Sequence, residues 1–330
     1  MPRLYLAEYH RAFTGKTICI ACREGILRDN LEHIVGDIKF LVRHGIQTTL
    51  YHNMANRFAN QKHFRFLANR LPETTIRRVS PEVDFYSYVL DREQSAFKLI
   101  FLERKFLCDK KGRRINTLTT RDTAQKNNEI VANINLVGAL NQISNRIREG
   151  AYDRVHILPA RKDCIKHELF TVEGTGTLIA NNFEEKYFPA ETDEDVEMIA
   201  GILDLYKKKG FLKPRDKNYL YEHRDRFRLT MIDVIAVGCL ERIEIDSRTI
   251  ELGALAISTR FRNQRIGVFT VNAFEDEAKS SGFTRIISFT NNPRLHSLYD
   301  QLGFEQGDLP EYSTRRAVSP DVALFYKDIG

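Results

Sequence analysis

The chain has 330 residues, 42% hydrophobic and 28% charged, with a formal net charge of +6. This is ordinary globular composition, with length enough for two buried cores. The modest charge, its signs interspersed, suits an anionic small ligand as well as nucleic acid, and no apolar run reaches bilayer length.

The N-terminal "MPRLYLAEYH" lacks the charged, apolar, small-residue order of a signal peptide, so a cytoplasmic location is expected. Cysteines at 19, 22, 108, 164 and 239 are an odd number scattered through apolar segments, which predicts packed thiols rather than a disulfide framework. Cys19 and Cys22 form a C-x-x-C, but no second ligand pair stands at zinc spacing, so no metal is expected.

In chain order, "KTICIAC" (16 to 22) is a short β-branched run, "NLEHIVGDIKFLVRHG" (30 to 45) has apolar residues at helical spacing, and "IQTTLYH" (46 to 52) is extended again. This is a βαβ signature. A helix is expected around 57 to 70, then short strands from 83 to 120 with a hairpin at "DKKGRR" (109 to 114). Residues 129 to 149 read as a long amphipathic helix and "DRVHILP" as the strand after it. The glycines, Pro189 and acidic run of "GTGTLIANNFEEKYFPAETDEDVE" mark a seam between two cores, giving expected domains of 1–182 and 183–330. Beyond it come helices at 193 to 209 and 217 to 227, two strands in "LTMIDVIAVGCLERIEID", and a strand at 249 to 258. A helix at 266 to 281, a strand at 285 to 290 and a helix at 293 to 304 complete the order.

The chemistry centres on "RFRNQRIGVF" (260 to 269), a basic turn between a small-residue strand and an apolar helix. A helix start presents unpaired N–H groups and a positive dipole end, which together bind phosphate. Gly267 allows close backbone approach, and Arg262 and Arg265 can add charge-assisted bonds to a pyrophosphate. The alternative is a basic loop on a solvated helix start.

This turn, followed by a strand and "NNPRLHSLYDQLGF", resembles the end of the GNAT acetyltransferase fold. The family's Q/R-x-x-G-x-G/A motif is matched by Arg262, Asn263, Gln264, Arg265, Ile266 and Gly267, with Arg265 replacing its first glycine. The resemblance implies acetyl-CoA as cosubstrate, held by Ile257, Arg262, Gln264, Arg265, Ile266, Gly267, Val268 and Asn292, with Tyr299 protonating the departing thiolate. A tyrosine hydroxyl can serve as that acid. Its alternative reading is a residue packed beneath the sheet.

A closer resemblance is to the N-acetylglutamate synthases, through "GILDLYKKKGFLKPRDKNYL" (201 to 220), "IDVIAVGCLERIEIDSRTIELGALAIS", "SSGFTRIISFT" and "LPEYSTRRAVSPDVALFYKDI". Upstream, "YDRVHILPARKDCIKHELFTVEGTGTLI" resembles the end of the amino-acid-kinase domain that precedes the acetyltransferase there. The implied fold is α/β: a shortened amino-acid-kinase-like domain followed by a GNAT domain with a mixed sheet. The implied reaction is acetylation of the L-glutamate α-amine, a step of arginine biosynthesis. Lys213 and Arg215 lie in the matching G-x-L-x-P-R stretch, where the arginine holds a substrate carboxylate. Arg316 and Ser319 match the second clamp at a spacing one residue longer. Glu251 matches the base, and Ala254 falls where a main-chain N–H meets substrate. Glu168 and Gly174 match an arginine-binding stretch, whose alternative reading is a cap leading into the linker.

Amino acid kinases carry a lysine and glycines at their phosphate loops, where this chain has Ala21-Cys22-Arg23-Glu24 and His52-Asn53-Met54-Ala55. Loss of kinase activity is therefore expected. Kinase-like relatives pair through this domain, so a homo-oligomer is expected by the same resemblance. The rivals are an acetyltransferase for another amino acid, separated by comparing acceptors, and a non-catalytic amino acid sensor, separated by measuring acetyl-CoA binding. No membrane partner is expected, and nucleic acid binding has no aromatic-basic module to support it.

Overall fold

The computed structural model describes residues 13–92, 96–126, 129–131, 134–171, 174–181, 185–207, 215–232, 235–258, 266–315 and 322–330. Packing divides the chain into Met1–Phe183 and Glu184–Gly330.

The first unit runs β1 (Thr17–Cys22), α1 (Glu24–Asp29), α2 (Leu31–Arg43), β2 (Gln47–His52), α3 (Gln61–Arg70), β3 (Thr75–Arg78), α4 (Phe85–Arg92) and β4 (Lys98–Glu103). It continues with β5 (Cys108–Asp109), β6 (Thr117–Thr119), α5 (Thr120–Lys126), β7 (Ile130–Val131), α6 (Ile134–Arg148), β8 (Arg154–Pro159), α7 (Cys164–Phe170) and β9 (Thr177–Ala180). Seven strands form one sheet in the order β3-β2-β1-β4-β8-β9-β6. Strands β3 to β8 pair in parallel, and every residue of β4 and β8 is buried, as a sheet covered on both faces requires. Helix α2 buries Ile34, Val35, Ile38 and Leu41, one stripe at helical spacing, and Gly45 takes the left-handed conformation (φ 70°) that follows its end.

The expected run of short strands from 83 to 120 is met at Lys98–Glu103 and Thr117–Thr119 and corrected in two respects, at 85–92 and at the 109–114 hairpin. Residues 85 to 92 are helical: Asp84 Oδ1 accepts from the Ser87 N–H at 2.8 Å, and Phe85, Tyr86, Val89 and Leu90 are buried at helical spacing. Lys98–Glu103 is a central parallel strand between β1 and β8, its apolar run reflecting burial on both faces. The 109–114 turn forms, with Asp109 N–H on the Arg113 carbonyl at 2.9 Å, but it closes only a single Cys108–Arg114 bridge; β5 pairs with β7.

The second unit contains β10 (Glu185–Pro189), α8 (Asp193–Lys207), α9 (Lys217–Glu222), β11 (Phe227–Ile232), β12 (Ile235–Glu244) and β13 (Thr249–Ile257). After these come α10 (Ile266–Ser280), β14 (Arg285–Thr290), α11 (Pro293–Gln301), β15 (Glu305–Gly307) and β16 (Ala323–Asp328). Its seven-stranded sheet has the order β10-β11-β12-β13-β14-β16-β15. Every neighbouring pair is antiparallel except β13 with β14 at its centre. Leu240, Ile250, Leu252 and Ile286 on one face meet Val271, Phe274 and Ala278 of α10 and Tyr299 of α11 in a single core. Helix α8 packs on β12 and β13.

Candidate active site

The parallel pair at the centre of the second sheet does not stay paired. Its register runs from Thr249↔Arg285 to Glu251↔Ile287, and among the described residues it stops there, although the strands continue to Ile257 and Thr290. Across β13, the register with β12 shifts between Cys239↔Ala256 and Glu241↔Gly253, and Ala254 within that bulge has φ 49°. A non-glycine residue there is uncommon and re-aims the strand. The two strands therefore open from a vertex at residues 252 and 288, leaving main-chain groups of β13 turned into the gap.

Side chains fix that vertex. Ser288 Oγ donates to the Leu252 carbonyl at 2.8 Å, bridging the first step at which ladder bonding has ended, and lies 2.8 Å from the Tyr299 hydroxyl. With the serine proton on Leu252, the phenol is the donor to Ser288. Tyr299 is fully buried, its ring 4.9 Å from Phe304 and 5.3 Å from Phe325, so it does pack beneath the sheet while its hydroxyl reaches the vertex. Burial pushes its pKa well above the usual phenol value, and the Glu251 charge adds to the rise, so the proton stays on.

Glu251 lies on a central strand, between β12 and β14, and not at a sheet edge. It stands opposite Ile243 and Ile287, on the sheet face away from the core of α10 and α11. Arg215 comes onto that same face beside α9. Its guanidinium is held by Glu241 of β12, with Nε at 2.7 Å and Nη2 at 2.5 Å from Oε2, while Tyr219 donates to Oε1 at 2.5 Å. Glu241 is fully buried. Cys239, its neighbour on this face, has a thiol that burial pushes up to about 12, so at neutral pH it is not a thiolate nucleophile.

Ile266, Gly267 and Val268 open the 15-residue α10, which follows β13 in the chain and packs on it. A Cβ on Gly267 would meet Leu298 Cδ2 at 3.1 Å, so this glycine also serves close packing of α10 on α11. Asn292 is the N-cap of α11, its side chain accepting from the Arg294 N–H at 3.1 Å, and the Ile257 carbonyl accepts from the Tyr206 hydroxyl. Arg262, Gln264, Arg265, Lys213, Arg316 and Ser319 lie outside the described residues. Sequence reading missed Ser288, Glu241 and Tyr219. The usable signal was a serine inside the apolar "RIISFT" and an acid in phase with inward Cys239 and Ile243.

In the first unit, Glu168 is sewn into its own domain. Its carboxylate accepts from the Thr175 and Gly176 N–H groups at 2.6 and 2.9 Å and lies 2.7 Å from His156 Nδ1. Gly174, at φ 58°, turns the chain just before those amides. The ends of β1 and β2, where a kinase would present open amides, are filled by side chains. Glu24 Oε2 accepts from the Ala55 N–H at 3.2 Å, Asn53 Oδ1 from the Glu24 N–H at 2.7 Å, and His52 Nδ1 from the Met54 N–H at 3.2 Å. Among the described residues no cluster of His, Cys, Asp and Glu could hold a metal ion, and no helix is long and apolar enough to cross a membrane.

Residues 177–304 match the model of the acetyltransferase (GNAT) family. The fold of the chain is similar, over 98% of its length and 98% of the other, to that of N-acetylglutamate synthase from Neisseria gonorrhoeae, solved with coenzyme A and L-arginine, at TM-score 0.57 and 17% identity. The first unit accordingly has a kinase-like α/β fold. Curated relatives include amino-acid acetyltransferases of Photobacterium profundum (26% identical over 163 residues) and Vibrio vulnificus (27% over 159). These matches take in 48% and 47% of this chain and only 36% and 35% of the relatives' length.

Proposed function

We propose that the chain is an acetyl-CoA-dependent N-acetyltransferase acting on the α-amine of an amino acid, with L-glutamate the acceptor indicated by its likeness to N-acetylglutamate synthase. The observation that carries this reading is the opening of β13 from β14 past Glu251↔Ile287, with the Tyr299 hydroxyl and Ser288 at its vertex. An extended, amide-bearing arm fits this gap, because it can take the place of the missing strand and bond the exposed main chain of β13. Ile257, Ile266, Gly267, Val268 and Asn292 border the side where such a ligand would be held. When bound, acetyl-CoA supplies an activated acetyl thioester.

The chain's own residues would do the rest. Glu251 accepts the ammonium proton of the acceptor, directly or through water, and Tyr299 holds a proton for the leaving sulfur. Arg215 and the main chain at Ala254 orient the acceptor, so that the amine meets the acetyl group in one complex. Thiol release from acetyl-CoA, measured across an amino acid panel, tests the reading. Turnover with glutamate supports it in full, turnover with another acceptor alone moves the specificity, and failure to bind acetyl-CoA in calorimetry removes it.

A second reading, another acceptor amino acid, is favoured by the Glu241 carboxylate on Arg215. The first unit is proposed to be kinase-inactive and to serve assembly of a soluble, cytoplasmic homo-oligomer. An arginine-responsive role for Glu168 and Gly174 would require the Glu168 carboxylate to exchange its internal amide partners for a guanidinium.

A further inference from the structure

We infer that Glu241 sets the charge preference of the acceptor site, making an amino acid with one carboxylate a better acceptor than a dicarboxylate. The inference rests on the acetyltransferase reading above and takes its second acceptor reading, an amino acid other than glutamate.

A carboxylate buried at the centre of a strand is rare and has to be paired. Glu241 takes as its pair Arg215, the guanidinium assigned to the acceptor's carboxylate, and adds the Tyr219 hydroxyl on its second oxygen. It stands among the residues assigned to the acceptor. Glu241 stands opposite Gly253, next to Ala254, and on the same sheet face as Glu251. Residues so related diagonally across an antiparallel pair are about 7–8 Å apart. A dicarboxylate calls for two cationic clamps. With Glu241 against it, the Arg215 charge is balanced within the protein, and a further carboxylate brought to that guanidinium meets the Glu241 charge at close range in a poorly screened site. An acceptor that replaces its second carboxylate by an amide or alkyl group avoids that repulsion. A purely structural staple of α9 to the sheet would make no such distinction between acceptors.

The test compares glutamate with glutamine, which differ in charge and hardly in shape, in the full chain and in Glu241→Gln. The expected result is a higher kcat/KM for glutamine in the unchanged protein. In the variant, the glutamate-to-glutamine ratio should rise about tenfold or more, an effect on a ratio that general damage does not produce. Glutamate preferred by the unchanged chain, or a ratio unmoved in the variant, overturns the inference. Should the variant not fold, the preference of the unchanged chain decides alone. Calorimetry with both amino acids in the presence of coenzyme A separates the layers. A shifted ratio of dissociation constants without turnover removes the transferase reading and keeps the charge selection. Turnover with an unmoved ratio does the reverse, and no binding of either amino acid removes both.

Discussion

Asp37 offers a direct measure of how the first unit is held together. It lies on α2, 2% exposed, with Oδ2 accepting from the Ile165 N–H at 3.0 Å and from the Cys164 thiol at 3.5 Å, so it ties α2 to the start of α7. Burial is the main cause that moves its pKa from 3.8 to about 6; the Asp163 charge adds to the rise, while the hydrogen bonds oppose it. A raised acid binds more protons folded than unfolded, so its contribution to stability is lost as the pH climbs from near 4 through 6. The difference of about two pH units corresponds to about 3 kcal/mol by pH 7.5. Replacing Asp37 by Asn keeps an acceptor for Ile165 and removes the titration. Asp37→Asn should therefore gain on the unchanged protein by about 3 kcal/mol between pH 4 and 7.5, on top of a constant offset. Urea unfolding followed by circular dichroism suits a chain with no tryptophan. Parallel pH profiles for the two proteins would refute the buried-carboxylate account.

Three other predictions concern single positions or single ligands. Tyr299→Phe should lower kcat about a hundredfold or more while leaving the KM for acetyl-CoA near its original value. Thermal unfolding should barely move, because Ser288 keeps its bond to Leu252; an unchanged kcat would take the acid role from Tyr299. Gly176→Ala should cost about 1–3 kcal/mol or more, since the added Cβ would fall 2.2 Å from Leu158 Cδ2 and 2.3 Å from the Ile157 carbonyl. An unchanged urea midpoint would contradict that contact. Radiolabelled ATP should transfer no phosphate to any amino acid, because the Ala55 and Met54 amides already have acceptors; phosphoryl transfer by the full chain would show a phosphate site elsewhere.

Much of this fold was legible because its periodicities are local. The stripe in 30–45 and the β-branched runs on either side specify a βαβ unit without any distant contact. The 83–120 segment was not, for two reasons. A strand buried on both faces, such as Lys98–Glu103, carries no alternation to distinguish it from a hairpin arm, and the Asp84 cap preceding Phe85 is a single-residue signal. The site divides similarly. Tyr299 and Glu251 are candidates that motif order names, whereas Ser288 and Glu241 enter the candidate site only through partners 36 and 26 residues away, in Leu252 and Arg215. Such pairings depend on sheet register, which the residues themselves do not announce. The strand opening is equally invisible, since it needs a bulge at Ala254 that only the register of β12 with β13 exposes.

The serine at the vertex has a mechanical consequence. For the two central strands to zip up by another residue, the Leu252 carbonyl would have to exchange a hydroxyl for a main-chain amide, stranding Ser288 and the phenol behind it inside the core. The crevice is thus wedged apart by its own wall, and a guest arriving there need not pry it open.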